Sequence, residues 1–399
     1  MLKNIDSSFV AELVSTAVSK KNIFGTVLCV ENGDNTITHL YASGNLTETK
    51  PYFIASVTKL YVTAVILKLK SSNQLNLQDK ISEYLSDDIL HELHLFNGKE
   101  YSKGISIKHL MSNTSGIPDY FTSDAVRKLT AGHDQSWGFE KTIASAKQKK
   151  PKFVPGKKAH YSDTNYQLLG KIIETITNKD IHTVFKEFIF DELHLENTYL
   201  FNDVNDTLPA PIYYKDKEIH LPKYMASIGP EGGIVSTAKE CMTFLKAFIN
   251  GHLFPKEYIH ELKEWKLLFG PGLFFYGVGI ANQPIFFKEL KNGLIGHWGQ
   301  TGAFSFYHPQ TDLYFTGTTN QFYGQNVAAK MMIKIIKKIK QSYMMKRTTH
   351  NRDDYVWSKL DISNLFVSTR SSASSALLSR LAERAYRFCV RDRLILFVT

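Results

Sequence analysis

Strand signals at the two ends of the chain, with helical periodicity between them, predict an α/β fold of the α+β sandwich kind. It would be one antiparallel sheet built from both chain ends and flanked by helices, with a mostly helical domain inserted. Three observations carry this. GTVLCVENGD followed by NTITHLYASG runs in β-branched and apolar residues up to the turn signal Asn32-Gly33-Asp34 and back, as a hairpin does. Strand signals return after residue 270, in FFYGVGIA, GLIGHWG, GAFSFYHP and DLYFTGTT. Between these ends lie DKISEYLSDDILHELHL, SIKHLMS, NYQLLGKIIETITN and DIHTVFKEFIFDEL, helical stretches parted by turn-rich pieces such as SNTSGIPDY and KPKFVPGKK.

Taken in order, the first residues, MLKNIDSSFVAELVSTAVSKKN, carry Lys3, Asp6 and Glu12 and no unbroken apolar run, so they do not resemble a signal peptide. No stretch reaches the ~20 apolar residues of a membrane span, and a cytoplasmic location is expected. The hairpin follows, and from Val57 to about Ser71 the pattern changes to a buried helix, LYVTAVILKLK. Ser56 therefore stands between a strand-like approach and a helix N-terminus. After the helical middle and the returning strands, NVAAKMMIKIIKKIK closes the body as an amphipathic helix. Its lysine face suits solvent above a sheet better than an anionic membrane surface. These patterns set an α/β sheet domain over 8–60 and 227–342, a mostly helical domain over 61–226, and an extension over 343–399.

The chain has 399 residues, 43% of them hydrophobic, enough for a sizeable core in two or three units or one large body with an insertion. Cys29, Cys241 and Cys389 lie far apart, which suggests neither a disulfide framework nor a zinc site. The net charge of +10 is unevenly placed. A single arginine, Arg127, precedes Arg347, whereas eight arginines stand from there to the end, with a serine-rich run, STRSSASSALLSR, among them. So abrupt a switch marks a segment of different coding history, expected to lie outside the fold; a small helical accessory domain on ALLSRLAERAYRF is the rival. The body itself is only mildly basic and lacks a dense basic and aromatic pattern, so no nucleic acid partner is expected.

The chemistry centres on FIASVTKLY. A serine hydroxyl is a poor nucleophile until a base takes its proton. On a helix, positions i and i+3 share a face, so Lys59 would bring its amine beside the Ser56 hydroxyl. The helix N-terminus adds N–H donors for a developing oxyanion. S-x-x-K alone is weak evidence, and a second copy, Ser236-Thr237-Ala238-Lys239, opens the helix KECMTFLKAFI, where Ser236 or Thr237 reads as a cap.

The rest of the chain separates the two. After FIASVTK come LNLQDKISEYL, HLMSNTSGIPDY, HYSDTNYQLLGKIIE, EGGIVSTAKE and GLIGHWGQTGAF. In that order and spacing they resemble the penicillin-recognising serine hydrolases of the class C β-lactamase type, a family that includes DD-peptidases, D-aminopeptidases and esterases. The resemblance covers about residues 20–340 and implies a β-lactamase/transpeptidase-like fold. It makes Ser56 the acylated nucleophile and Lys59 its proton acceptor, acting with Tyr161. A phenol titrates near 10, and a flanking ammonium would lower that value, so Tyr161 is expected to serve as a base near neutral pH. His297-Trp298-Gly299 stands at the family's third motif. There the His297 ring is expected to hydrogen-bond across the cleft to the tyrosine oxygen or the substrate, and Gly299 to let the acyl chain approach the backbone. The backbone N–H groups of Ser56 and Gln300 would form the oxyanion hole.

Three departures qualify the likeness. Asp163 replaces an asparagine and cannot donate an amide hydrogen bond to a lactam side chain, though it can hold Lys59. His297 replaces a lysine suited to a substrate carboxylate. Trp298 replaces a small threonine, adding apolar bulk beside the acyl site or, with the opposite pleat, beneath it. The expectation is a metal-independent and cofactor-free serine hydrolase acting on an ester, a D-amino-acid amide or peptide, or a β-lactam. The alternatives are a catalytically inactive binding protein that kept the fold, and a true DD-carboxypeptidase or β-lactamase. An α/β-hydrolase would need a G-x-S-x-G elbow, which is absent, as are GxxxxGK[ST] and HExxH. The oligomeric state has no signature in the sequence.

Overall fold

The structure, a computed structural model, describes residues 5–269, 274–285, 290 and 292–353, with side chains as far as Ser342. Its frame is an eight-stranded antiparallel sheet. The strands are β1 (Gly25–Asn32), β2 (Thr38–Gly44), β3 (Lys266–Phe269), β4 (Phe274–Tyr276), β5 (Ala281–Gln283), β6 (Leu294–Trp298), β7 (Ala303–His308) and β8 (Leu313–Thr318), in the order β3-β4-β5-β6-β7-β8-β1-β2. The chain ends meet where β1 pairs with β8, Val27 opposite Thr318 and Asn32 opposite Leu313. Every residue of β1 is buried, as a strand covered on both faces requires.

Helices cover the two faces. On one lie α1 (Ser7–Val18) and α5 (Gln325–Asp353), which pack Val10, Val14, Met332 and Ile336 against Leu28, Phe306 and Phe315. On the other lie α2 (Thr58–Ser71), α3 (Asp163–Thr177) and α4 (Ala238–Asn250), whose Leu60, Ile172 and Phe244 join Cys29 and Ile295 in the larger core. α2 is buried nearly all round, from Thr58 to Leu67. It forms the spine between sheet and helical layer, where each fully buried Leu or Val contributes about 1.5–3 kcal/mol.

Several elements differ from the sequence reading. The hairpin turn is a loop over residues 33–37 closed by the Asn32 side chain. Its amide donates to Asp34 Oδ1 at 2.6 Å and Thr36 Oγ1 at 2.8 Å, and its oxygen accepts from Ile37 N at 2.8 Å. DKISEYLSDDILHELHL forms only the short helical pieces Ile81–Glu83 and Asp87–Leu90. It then enters a hairpin of Leu95–Phe96 with Lys99–Glu100, because Asn97 and Gly98 both adopt positive φ (51° and 77°). FFYGVGIA is split between β4 and β5, where Gly279 at φ 77° presses on Thr63 of α2; a Cβ there would lie 2.2 Å from Oγ1. A three-stranded sheet, Tyr52–Phe53, Ile234–Ser236 and Tyr199–Leu200, had no signal, since pieces of two or three residues show no period. The closing helix α5 continues to Asp353, past the seam at Arg347; the remainder of the 343–399 extension lies outside the described residues.

Candidate active site

Ser56 sits in a single 3₁₀ turn, Ala55–Val57, between the Tyr52–Phe53 strand and α2. Ala55 holds φ 46°, a left-handed conformation that costs a residue with a Cβ on the order of 1–2 kcal/mol. Its neighbours impose it: Ile54 N donates to Ile234 O at 3.0 Å and Val57 N to Ile54 O at 3.2 Å. The resulting half-buried Ser56 faces a cleft, with Gln300 and Thr301 beside it.

Lys59 follows one turn later on the same face and is wholly buried. Its ammonium donates to Ser56 Oγ at 3.0 Å and to the Glu231 carbonyl at 2.6 Å, and pairs with Asp163 Oδ1 at 2.6 Å. Two of its donors are thus hydrogen-bonded, and the Asp163 carboxylate answers its charge. Tyr161 comes from the segment leading into α3, its ring centroid 5.2 Å from Lys59 Nζ.

The structure therefore brings Ser56, Lys59, Tyr161 and Asp163 together, but it alters the expected state of the phenol. Removal from water raises Tyr161 well above its ordinary value, the Asp163 charge raises it further, and hydrogen bonding with Ser56 only partly offsets them. Lys59 does not win because Asp163 already answers its charge. Tyr161 rests as a phenol, contrary to the expected phenolate base.

His297 also departs from expectation. It is buried on β6, with Nδ1 2.6 Å from the Trp298 carbonyl and Nε2 3.2 Å from the Tyr276 hydroxyl. A proton on Nδ1 serves the carbonyl and leaves Nε2 to accept from Tyr276, whose oxygen lies 2.9 Å from that of Tyr166. The bond expected to Tyr161 is thus made to Tyr276, in a chain behind the site. Burial and the Lys59 charge depress His297 to about 3, so the ring is neutral.

Trp298 points to the opposite face of the sheet, packed 4.7 Å from the Phe306 ring among α1 and α5 residues. It lies beneath the sheet and does not line the cleft, which corrects its expected place among substrate-binding residues. Gly299 is needed by the protein itself: a Cβ there would stand 2.3 Å from the Ile54 carbonyl oxygen. That close approach, with Thr301 Oγ1 donating to Phe53 O at 2.7 Å, clamps the β6–β7 turn against the Ser56 segment. Among the described residues, neither the Ser56 nor the Gln300 backbone N–H has a protein acceptor, leaving both free for an oxyanion.

Sequence reasoning missed three further residues. Asn113, at φ 56°, accepts from Ser162 N at 3.1 Å and Asn165 Nδ2 at 3.0 Å, and its carbonyl accepts from His160 N at 2.9 Å, locking the segment that carries Tyr161. Asp119 accepts from the Asp163 and Phe121 backbone N–H groups, each at 3.1 Å. Glu231 accepts from the Tyr120 hydroxyl, while its Oε2 has no hydrogen-bond partner. Lost solvation and then the Asp163 charge raise both carboxyls well above the usual carboxylate range. SNTSGIPDY and EGGIV marked the segments, but nothing local showed that their polar residues converge. The second S-x-x-K is structural: Thr237 caps α4 through Glu240 N at 3.2 Å, and Lys239 pairs with Glu31.

A family model described as Beta-lactamase matches residues 10–335. Among relatives, "Protein flp" of Staphylococcus aureus (strain COL) is 28% identical over 260 residues, covering 62% of this chain and 50% of that protein. "Penicillin-binding protein 4*" of Bacillus subtilis (strain 168) is 28% identical over 200 residues, 48% of this chain and 41% of that protein. The chain thus spans about half the length of these relatives or less. Among solved structures, the D-amino acid amidase from Ochrobactrum anthropi SV3 complexed with L-phenylalanine superposes with a TM-score of 0.71 at 20% identity, covering 84% of this chain and 99% of that one. The penicillin-binding protein homologue from Pyrococcus abyssi gives 0.68 at 22% identity, covering 84% and 78%. At such identities the likeness is one of fold. Among the described residues no helix is long and apolar enough to cross a membrane.

Proposed function

The chain belongs to the β-lactamase family, and on that premise we propose that it is a serine hydrolase working through an acyl-enzyme on Ser56, with an ester, a D-amino-acid amide or peptide, or a β-lactam as acyl donor. The observation that carries this is the Lys59 ammonium, 3.0 Å from Ser56 Oγ and 2.6 Å from Asp163. Passing a proton from Lys59 to Asp163 leaves a free amine against the nucleophile. That amine takes the Ser56 proton as Oγ bonds to the substrate carbonyl, and the oxyanion is received by the Ser56 and Gln300 N–H groups. Collapse expels the leaving group, which takes the Tyr161 proton, and Lys59 returns one to the phenolate. A phenol with a raised pKa suits this acid role better than that of resting base. Water then repeats the sequence on the acyl-enzyme, releasing the acid and restoring Ser56.

The test is a fluorophosphonate probe with intact-mass readout, run beside turnover of nitrocefin, short-chain nitrophenyl esters and D-alanyl peptides. One adduct on wild type, none on Ser56→Ala, and turnover lost in that variant are expected. An undiminished adduct or equal turnover in Ser56→Ala would reject the nucleophile.

A further inference from the structure

Four buried groups, from α3, β4 and β6, make a hydrogen-bond chain whose direction follows from its ends. The Trp298 carbonyl can only accept, so His297 Nδ1, 2.6 Å away, carries a proton. Nε2 of the neutral ring then accepts, and its donor is the Tyr276 hydroxyl at 3.2 Å. Having given its proton, the Tyr276 oxygen accepts from the Tyr166 hydroxyl at 2.9 Å. In the reverse direction a charged His297 would give to Tyr276 and Tyr276 to Tyr166. The Tyr166 proton would then turn toward the Met111 carbonyl, which is 3.4 Å away and already accepts from Gly279 N at 2.9 Å. The separations select one polarity, from Tyr166 through Tyr276 to His297, and with it an uncharged ring.

The chain crosses from the helical layer to the sheet where each presents a reacting group. α3 begins at Asp163, two residues after Tyr161, and β6 ends at Trp298, two residues before Gln300. The same rings back the site. Tyr161 stands edge-on to Tyr276, with centroids 6.0 Å apart and planes at 86°, and Lys59 Nζ lies 5.2 Å from the Tyr166 ring. Apolar packing is non-directional, whereas a hydrogen bond has a preferred length and angle. The hydroxyl of Tyr276 therefore adds what packing cannot, a fixed register between α3 and β6.

We propose that Tyr276 is a positioning residue for acyl transfer at Ser56: its hydroxyl, tied to Tyr166 on one side and to neutral His297 on the other, sets Tyr161 and the Gln300 N–H at their working distance from the nucleophile. This rests on the Ser56 acyl-enzyme reading. His297 is then a spacer between strand and helix, and Lys59 stays the one cation among the chain's neighbours Tyr161, Tyr166 and Tyr276. Burial and the Lys59 charge act in the same sense, keeping the ring neutral.

The experiment joins NMR to kinetics on the full chain. Long-range hydrogen–nitrogen spectra, with His297 assigned from the signal lost in His297→Leu, should show the neutral Nδ1–H tautomer near pH 7; an Nε2–H tautomer or an imidazolium overturns the proposal. Tyr276→Phe keeps the ring against Tyr161 and removes only the hydroxyl, so the His297 Nε2 resonance should move. In that variant fluorophosphonate labelling of Ser56 should slow about 10-fold, and with a nitrophenyl ester that turns over the loss should fall on kcat, KM staying within about 2-fold. The same substitution made in His297→Leu should cost little, because the hydroxyl then has nothing to hold; a loss of packing alone would be equal in both backgrounds. Wild-type labelling in Tyr276→Phe, or an equal loss in both backgrounds, overturns the proposal. If Tyr276→Phe does not fold, Tyr166→Phe, one link back, carries the same expectations, and the wild-type tautomer is read regardless. Failure of the wild type to take the fluorophosphonate would instead reject the underlying acyl-enzyme.

Discussion

Replacing Gly299 by alanine tests how the β6–β7 turn sets the spacing of the Ser56 and Gln300 N–H groups. The added Cβ would lie 2.3 Å from the Ile54 carbonyl oxygen and 3.0 Å from the Ala303 Cβ. An ordinary carbon-to-oxygen contact is about 3.3 Å, so the two backbones must part by about 1 Å. The turn has little room to yield, because Gly299 N donates to Ala303 O at 2.7 Å and the Gly299 carbonyl accepts from Gln325 Nε2 at 3.0 Å. The strain therefore moves the Ile54–Ser56 segment away from Gln300. A misplacement of that size costs about 100-fold in rate, and the overpacking costs about 1–3 kcal/mol of stability. The assay is kcat/KM on a nitrophenyl ester beside thermal melting, with the fluorophosphonate labelling rate as a readout of the nucleophile. Gly299→Ala with wild-type kcat/KM would refute the clamp.

Three other outcomes follow from the geometry. Glu231 in the folded chain keeps its proton well above its ordinary 4.5, whereas the unfolded chain releases it near that value; the folded state then binds more protons, and the stability Glu231 contributes is lost as pH rises. With Asp163, Asp119, Lys59 and Tyr120 around it, Glu231→Gln should gain in melting temperature over wild type progressively from pH 4.5 to 8, and a pH-independent difference would contradict this. Tyr161→Phe should lower kcat about 10²–10⁴-fold, most for poor leaving groups, and an equal loss across leaving groups would remove its acid role. His297, depressed to about 3, should show no imidazole titration by NMR between pH 5 and 8; because only the unfolded ring takes a proton near 6.5, its contribution lowers stability as pH falls below that value.

The framing strands were legible because their signal is local, alternation at both chain ends, whereas Ser56, Lys59 and Tyr161 stood out only through the order of several motifs along the chain, since an i, i+3 serine–lysine pair occurs twice. Trp298 shows where that ends. Every residue of β6 is buried, so hydrophobic alternation says nothing about which face a side chain takes, and the pleat orientation had to come from the Trp298–Phe304 register with β7. Asn113, Asp119 and Glu231 come from separate segments and meet only through tertiary packing, so the burial that raises Tyr161, and the carboxyls that add to it, had no local trace. The Asn97-Gly98 turn did have one. Both residues accept positive φ readily, and so end the helical pattern that runs into them.

The pairing of β1 with β8 has a consequence for how the protein comes into being. Ser56 is synthesised well before Gln300, the β6–β7 turn and the strand that locks β1. Contacts of such high contact order close late and slowly. The nascent chain thus carries Ser56 through synthesis of the helical layer before the Gln300 N–H that faces the same cleft exists, and the cleft is complete only once the closing strands have joined the sheet.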